Sequence, residues 1–286
     1  MSRSPPRILN WAGSKGRVAK TLVAAGLPGY DCYHEPFLGS GAAFFCFGHE
    51  KLFAKAFLSD TNPHIVNMFR SIQSDPSLVS NKLKLHALLD SAVHYASVAY
   101  RINESLLDQV PEKSADFIYL LAGAFHSTWY ETLSGQIRLS RDPGVSEYKP
   151  RLWDIQKASE QLQSAHVQKR DFRLSLEQVG SNDLLFLDPP YLNASEQQEQ
   201  RGYNSKRFSR SDFVELVERT SAAAASGADV IFCWSGIEPL LSKVGRWSWI
   251  GRDAVWVSDG LFEHLRSAET FLEVAFEKEC KAATLK

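Results

Sequence analysis

The chain has 286 residues, 44% of them hydrophobic and 23% charged, with a formal net charge of −1. That length allows one sizeable α/β domain with an inserted or appended subdomain, and the usage is globular rather than disordered or fibrous. A charge near zero excludes a uniformly basic nucleic-acid surface, because neutralised phosphates supply most non-specific affinity, so any such partner must be met by local clusters.

Two clusters qualify: Arg138, Arg141, Lys149 and Arg151 in mid-chain, and Arg201, Lys206, Arg207 and Arg210 further on. Each on its own reads first as a solvated face. The four cysteines, Cys32, Cys46, Cys233 and Cys280, lie far apart without a CxxC pair, which suggests neither a disulfide framework nor a zinc site. The opening MSRSPPRI lacks the apolar core of a signal peptide, and no stretch approaches the roughly 18 apolar residues of a membrane span. The expectation is a reduced, cytoplasmic, soluble protein with no metal and no membrane partner.

In chain order, the first segment with chemical content is NWAGSKG, residues 10–16. The GxxxxGK spacing of a phosphate loop is absent. Trp11 offers an aromatic face and Lys15 a cation; together they suit a sulfonium-bearing amino acid, held by Lys15 through its carboxylate and by Trp11 through packing. Singly they read as a buried tryptophan and a surface lysine.

A strand is predicted over residues 32–34, running into HEPFLGSGAAFF at 34–45. A strand, a glycine-rich turn and an apolar helix give the close backbone approach that a nucleotide-type cofactor needs. Gly39 and Gly41 form only a GxG, lacking the third glycine of a dinucleotide fingerprint. A second strand is predicted over residues 54–58, and Asp60, about twenty residues after the turn, stands where such folds place a carboxylate on ribose hydroxyls. An isolated aspartate there is more often a helix N-cap.

From residue 62 to 166 the texture becomes helical, with Leu83, Leu85, Leu88 and Leu89, then Phe117, Leu120, Leu121 and Ala124, at helical spacing. TLSGQIRLSRDPG, residues 132–144, predicts a hairpin with Arg138 and Arg141 on an exposed tip. Strands are predicted again at residues 184–187, 230–233 and 271–276. Between the first two, Phe213, Leu216, Val217 and Thr220 mark a helix starting after Ser211 and closed by Gly227. Strand, helix and strand imply a parallel sheet with helices on its faces. The predicted fold class is therefore α/β, an open, mostly parallel sheet with a mostly helical insertion; residues 1–61 and 167–286 form the sheet domain and 62–166 the insertion.

DPPY at Asp188, Pro189, Pro190 and Tyr191 carries the most chemistry. It follows the buried-strand run LLFL, so it ends a central strand, where open α/β sheets bind ligands. Consecutive prolines cannot continue a ladder; the strand stops and presents the Asp188 carboxylate and backbone carbonyls to a cleft. An aromatic amine such as adenine N6 is a poor nucleophile because its lone pair is delocalised. Acceptors at its two N–H groups, the Asp188 carboxylate and the Pro189 carbonyl, favour a pyramidal nitrogen whose lone pair faces an incoming methyl. Tyr191 is placed to stack on the base. A plain Pro-Pro turn with a capping aspartate uses the same residues.

Taken together, NWAGSK, EPFLGSG, an acidic residue and DPPY, in that order from Asn10 to about Gly236, resemble the Dam-like (D12 class) family of DNA adenine-N6 methyltransferases. The resemblance implies the class I S-adenosylmethionine-dependent fold, with the helical insertion as target-recognition subdomain. It implies S-adenosylmethionine as cofactor, double-stranded DNA as partner with the adenine flipped out, and direct in-line transfer to N6. It puts Trp11, Lys15, Glu35, Phe37, Gly39, Gly41 and Asp60 around the cofactor, with Asp171 and Phe172 of KRDF on its adenine and Asp188 serving cofactor and amine alike. Tyr191 would hold the flipped base; Tyr203, Lys206, Arg207 and Phe208 fall in the segment that closes over base and backbone, beside Arg138 and Arg141 as further DNA contacts. HSTWYETLSGQIRLS departs from the family's N-G-L-x-R stretch, so a GATC target is not carried over. Cytosine N4 methylation is chemically equivalent, and an RNA or protein amine is the nearest other substrate. An NAD-dependent oxidoreductase would leave DPPY and Lys15 unused; a catalytically silent DNA-binding module would have no need of Asp188 and Tyr191.

Overall fold

The computed structural model describes residues 4–104, 111–125, 128–132, 135–145, 147–191, 208–234, 245–250 and 253–265. In chain order the elements begin α1 (Gly16–Ala24), β1 (Tyr30–Glu35), α2 (Ala42–His49), β2 (Phe53–Asp60), α3 (Pro63–Ser74), α4 (Pro76–Leu89), α5 (Ala92–Glu104) and α6 (Pro111–Gly123). They continue β3 (Tyr130–Glu131), β4 (Ile137–Arg138), α7 (Leu152–Leu162), β5 (Ala165–Lys169), α8 (Phe172–Leu176), β6 (Leu184–Leu187), α9 (Arg210–Ala225), β7 (Asp229–Trp234), β8 (Gly245–Ile250), β9 (Asp253–Ser258) and α10 (Asp259–Leu265).

Seven strands form one sheet in the order β5-β2-β1-β6-β7-β9-β8. β1 pairs in parallel with β2 and with β6, and β6 with β7, whereas β9 runs antiparallel to both β7 and β8. The fold class is thus a mixed α/β, mostly parallel sheet, as anticipated. All four side chains of β6 are buried, as a strand covered on both faces requires. The order of connection reverses between β1 and β6, the switch point beside which such sheets bind ligands at the strands' carboxyl ends. The strands anticipated at residues 32–34, 54–58, 184–187 and 230–233 fall within β1, β2, β6 and β7; the one at 271–276 lies outside the described residues. β5 and the β8–β9 hairpin were not anticipated.

The chain groups into two compact units. The sheet unit holds Lys15–Ser59, residues 170–191 and the described residues from Phe208 onward. Its core packs Leu185, Leu187, Val230 and Phe232 against Phe213 and Leu216 of α9 and against Trp256. α9 opens two residues earlier than anticipated, because Ser209 and Asp212 form a reciprocal capping box, and Gly227 at φ 96° ends it as expected.

The helical unit holds residues 4–14 and the described residues of Asp60–Lys169. Residues 4–14 group with these helices rather than with the sheet: the carbonyls of Ser4 and Arg7 accept from Lys157 and Arg151 of the α7 region, and Trp11 meets Trp129 edge-on at 6.1 Å. Asn62 caps α3 through His64 and Ile65 N–H ahead of Pro63, and Asp75 caps α4 ahead of Pro76. Leu83 is buried but Leu88 is 82% exposed, with Leu85 and Leu89 about half exposed, so the α4 apolar stripe is narrower than its leucine spacing suggests. Phe117, Leu120, Leu121 and Ala124 are all buried.

The anticipated hairpin is present as β3–β4, with Gly135 at φ 79° in its turn. Neither arginine is at its tip: Arg138 is exposed on strand β4, opposite Tyr130, and Arg141 lies beyond the hairpin, half-buried. The Arg141 guanidinium lies 3.1 Å from Asp90, which also accepts from the Tyr119 hydroxyl and the Tyr148 N–H. A buried carboxylate with three such donors demands a cation, and Arg141 supplies it inside the unit.

Candidate active site

Asp188 follows β6 at its carboxyl end, half-buried with 25% of its side chain exposed. Pro189 behind it is buried and Pro190 exposed, so the chain leaves the sheet at once. Lys15, the residue before α1, is 5% exposed, and its ammonium lies 3.1 Å from Asp188 Oδ1 and 3.4 Å from Asp253 Oδ1. Burial pushes the Asp188 carboxyl up to about 6; Lys15 pulls against that shift and Asp253 adds to it. Burial opposes the charge on Lys15, but Asp188, with help from Tyr191, Cys233 and Asp253, outweighs it and raises its proton affinity.

Tyr191, 40% exposed, meets the Trp234 ring edge-on at 5.3 Å, and the Lys15 ammonium stands 5.4 Å from the Tyr191 ring centre. Trp234 is in turn stacked on Phe213 at 4.4 Å, which fixes the surface against which Tyr191 rests. Cys233 beside them is buried, and its thiol is raised well above its ordinary range by that burial and by Asp188. It is a packing group, not a nucleophile.

After β1 the chain turns tightly through Gly39 at φ 48° and Gly41 at φ 64°, conformations that suit glycine, with Gly41 N–H donating to the Leu38 carbonyl. Glu35 at the end of β1 is buried and accepts from the Tyr33 hydroxyl at 2.8 Å. Phe37 stacks on Phe172 at 5.6 Å, and Phe208 meets both rings edge-on, which builds an aromatic cluster of three. Asp171 caps α8 through the Arg173 N–H and pairs with the Arg173 guanidinium, which also engages Asp212 and Glu215.

Lys15, Glu35, Phe37, Gly39, Gly41, Asp171, Phe172, Asp188 and Tyr191 therefore share the sheet unit. Trp11 and Asp60 belong to the helical unit, where Asp60 accepts from the Asn62 N–H at 2.9 Å. Lys15 is not the surface lysine that its single-residue reading suggests: it is buried and paired with two carboxylates of its own chain. Tyr203, Lys206 and Arg207 lie outside the described residues. Asp253 was missed: no motif surrounds it, and only the return of β9 beside β7 brings it to Lys15. Among the described residues no group of three metal-ligating side chains converges, and no helix is long and apolar enough to cross a membrane.

A mostly parallel α/β sheet of this order, with a paired carboxylate directly beyond a central strand at the switch point, places a candidate ligand site at the strands' carboxyl ends, as in open α/β enzymes. The family model for D12 class N6 adenine-specific DNA methyltransferases matches residues 11–225. The chain belongs to that family.

Relatives include the Type II methyltransferase M1.LlaDCHI of Lactococcus lactis subsp. cremoris, 26% identical over 72% of this chain and 72% of its own. The DNA N-6-adenine-methyltransferase of Escherichia phage P1 is 24% identical over 80% of this chain, which spans 30% of that longer protein. The Retron Ec67 DNA adenine methylase of Escherichia coli is 24% identical over 78% of this chain and 75% of its own. Among solved structures, the rRNA methyltransferase aviRa of Streptomyces viridochromogenes aligns over 93% of this chain and 94% of its own, at 11% identity and a TM-score of 0.42.

Proposed function

We propose that the chain transfers a methyl group from S-adenosylmethionine to the N6 amino group of an adenine extruded from double-stranded DNA. The observation that carries this is the placement of Asp188, a half-buried carboxylate directly after a central strand, beside a solvent-facing Tyr191.

The sheet unit offers what the cofactor needs. The left-handed turn at Gly39 and Gly41 allows close backbone approach, Phe37, Phe172 and Phe208 supply an aromatic lodging for a purine, and Glu35 and Asp171 supply acceptors for hydroxyl or amino groups. The family resemblance adds Trp11 and Asp60 to the proposed cofactor contacts. When bound, the cofactor supplies an electrophilic sulfonium methyl.

The chain's own residues do the rest. Tyr191 receives the base by stacking, its ring held by the edge-on contact with Trp234. The Asp188 carboxylate accepts from one N6–H and the Pro189 carbonyl from the other, which localises the lone pair on nitrogen. A bound cofactor would supply the methyl, its bond to sulfur breaking as its bond to N6 forms; Asp188, whose proton affinity burial raises to about 6, would take the surplus amine proton and pass it to water. Residues 62–166 are proposed as the target-recognition insertion, with exposed Arg138 on its hairpin as a phosphate contact and Tyr203, Lys206 and Arg207 as further contacts.

Incubation with labelled S-adenosylmethionine and unmethylated genomic DNA, followed by nucleoside analysis, tests this directly. Label in N6-methyladenine is the expected result; label in N4-methylcytosine, in RNA or in protein, or none at all, would overturn it.

A further inference from the structure

The Lys15 ammonium has two carboxylates, and only one belongs to the DPPY tetrapeptide. Asp253 opens β9, whose antiparallel pairing with β7 sets Ala254 opposite Trp234 and so brings Asp253 to the mouth of the site. The two distances, 3.1 Å to Asp188 and 3.4 Å to Asp253, both exceed the roughly 2.7–2.9 Å of an optimal ammonium–carboxylate hydrogen bond. The ammonium is therefore shared, held at full strength by neither carboxylate. A displacement of a few tenths of an ångström would exchange its nearer and farther partners.

That sharing answers a difficulty in the chemistry. While Lys15 sits on Asp188 Oδ1, that oxygen is engaged and the ammonium charge weakens the carboxylate as an acceptor for an incoming amine. Lys15 is 5% exposed, so withdrawing its charge towards water is costly. A second carboxylate within reach gives the ammonium a place to go without leaving the site.

We propose that Asp253 is a positioning residue that takes the Lys15 ammonium as the target amine engages Asp188, freeing that carboxylate for the amine. The proposal rests on the functional reading above, in which Asp188 accepts from an amine. The other titratable groups facing this cluster are the Tyr191 phenol and the Cys233 thiol, with the Glu35 carboxyl near Cys233. Asp253 is the carboxylate that stands beside Asp188 within salt-bridge reach of the Lys15 ammonium, at 3.4 Å.

The test compares wild type, Asp253→Asn and Asp253→Glu by two readouts. In steady-state transfer to DNA, Asp253→Asn is expected to lower kcat about tenfold with the KM for DNA within about twofold, and to move the acid limb of kcat to lower pH. Asp253→Glu, which keeps the charge, should recover most of kcat. In the DNA-free protein, the side-chain carboxyl ¹³C signal of Asp188, assigned by its loss in Asp188→Asn, should titrate at lower pH in Asp253→Asn by at least about half a unit. Unchanged kcat in Asp253→Asn, or equal loss of kcat and KM in both variants with an unmoved pH profile, overturns the proposal. An unmoved carboxyl titration also overturns it, and needs no turnover. A wild-type chain that methylates nothing instead overturns the functional reading, so the two failures are distinguishable.

Discussion

Replacing Asp188 by Asn should abolish transfer and stabilise the protein at once, and the structure sets the size of the second effect. The carboxyl is three-quarters buried, and that burial raises its titration point from the ordinary 3.8 to about 6, over the opposing pull of Lys15. Between those values the folded chain binds a proton that the unfolded chain has released. Stability attributable to this group is therefore present below about pH 4 and is lost as pH rises through 6. Carrying the titration point from 3.8 to about 6 corresponds to a loss on the order of 3 kcal/mol at pH 8. Asn resembles the protonated acid and does not bear this cost, while Lys15 retains Asp253 and is not stranded as a lone buried charge. Urea unfolding at pH 8 should show a midpoint about 1 M higher in Asp188→Asn, with the gap narrowing as pH falls towards 4. Transfer should drop at least about a hundredfold, as expected when an acceptor aimed at the reacting group is lost. An Asp188→Asn variant less stable than wild type at pH 8 would refute the reasoning, because it would mean that the Lys15 pair outweighs desolvation.

Phe172→Leu keeps an apolar core residue but removes the ring stacked on Phe37; the KM for S-adenosylmethionine should rise about fivefold with kcat little changed, measured in steady-state transfer. Gly245→Ala would put a Cβ 2.2 Å from the Val257 carbonyl oxygen and 2.3 Å from the Trp256 ring, so the β8–β9 hairpin must shift; a loss of about 2 kcal/mol in chemical unfolding is expected. Asp116 accepts from His86 and Arg101, and these bonds hold its carboxyl below the ordinary range against its burial. Its contribution is present above about pH 4 and lost as pH falls, so Asp116→Ala should cost about 3 kcal/mol at pH 7 and much less at pH 3 in unfolding experiments.

The parts of the fold legible in the sequence are those whose burial is decided locally. LLFL reads as a two-sided buried strand because all four side chains are apolar, and β6 buries all four. Phe213, Leu216 and Val217 read as a helix because one face of α9 meets the sheet. β5 and β8 were missed because AHVQK alternates buried Ala165 and Val167 with polar neighbours, and because Arg246 of β8 faces solvent, so neither presents an apolar run. Leu85, Leu88 and Leu89 misled for the converse reason: leucine at helical spacing specifies a stripe only if something covers it. Arg141 read as surface because its partner, Asp90, lies 51 residues away on another element.

The candidate site divides along the same line. Asp188, Tyr191, Gly39 and Gly41 announce themselves because a proline pair and a glycine turn are local backbone events. Asp253 carries no such mark, since its relation to Lys15 is created by strand order alone, through an antiparallel strand laid beside β7. A motif therefore names the group proposed to perform the chemistry, whereas the charge partner beside it is set by topology and becomes visible only once the sheet is assembled. The site's charge balance, one ammonium between two carboxylates, was for that reason unreadable from any single stretch of the chain.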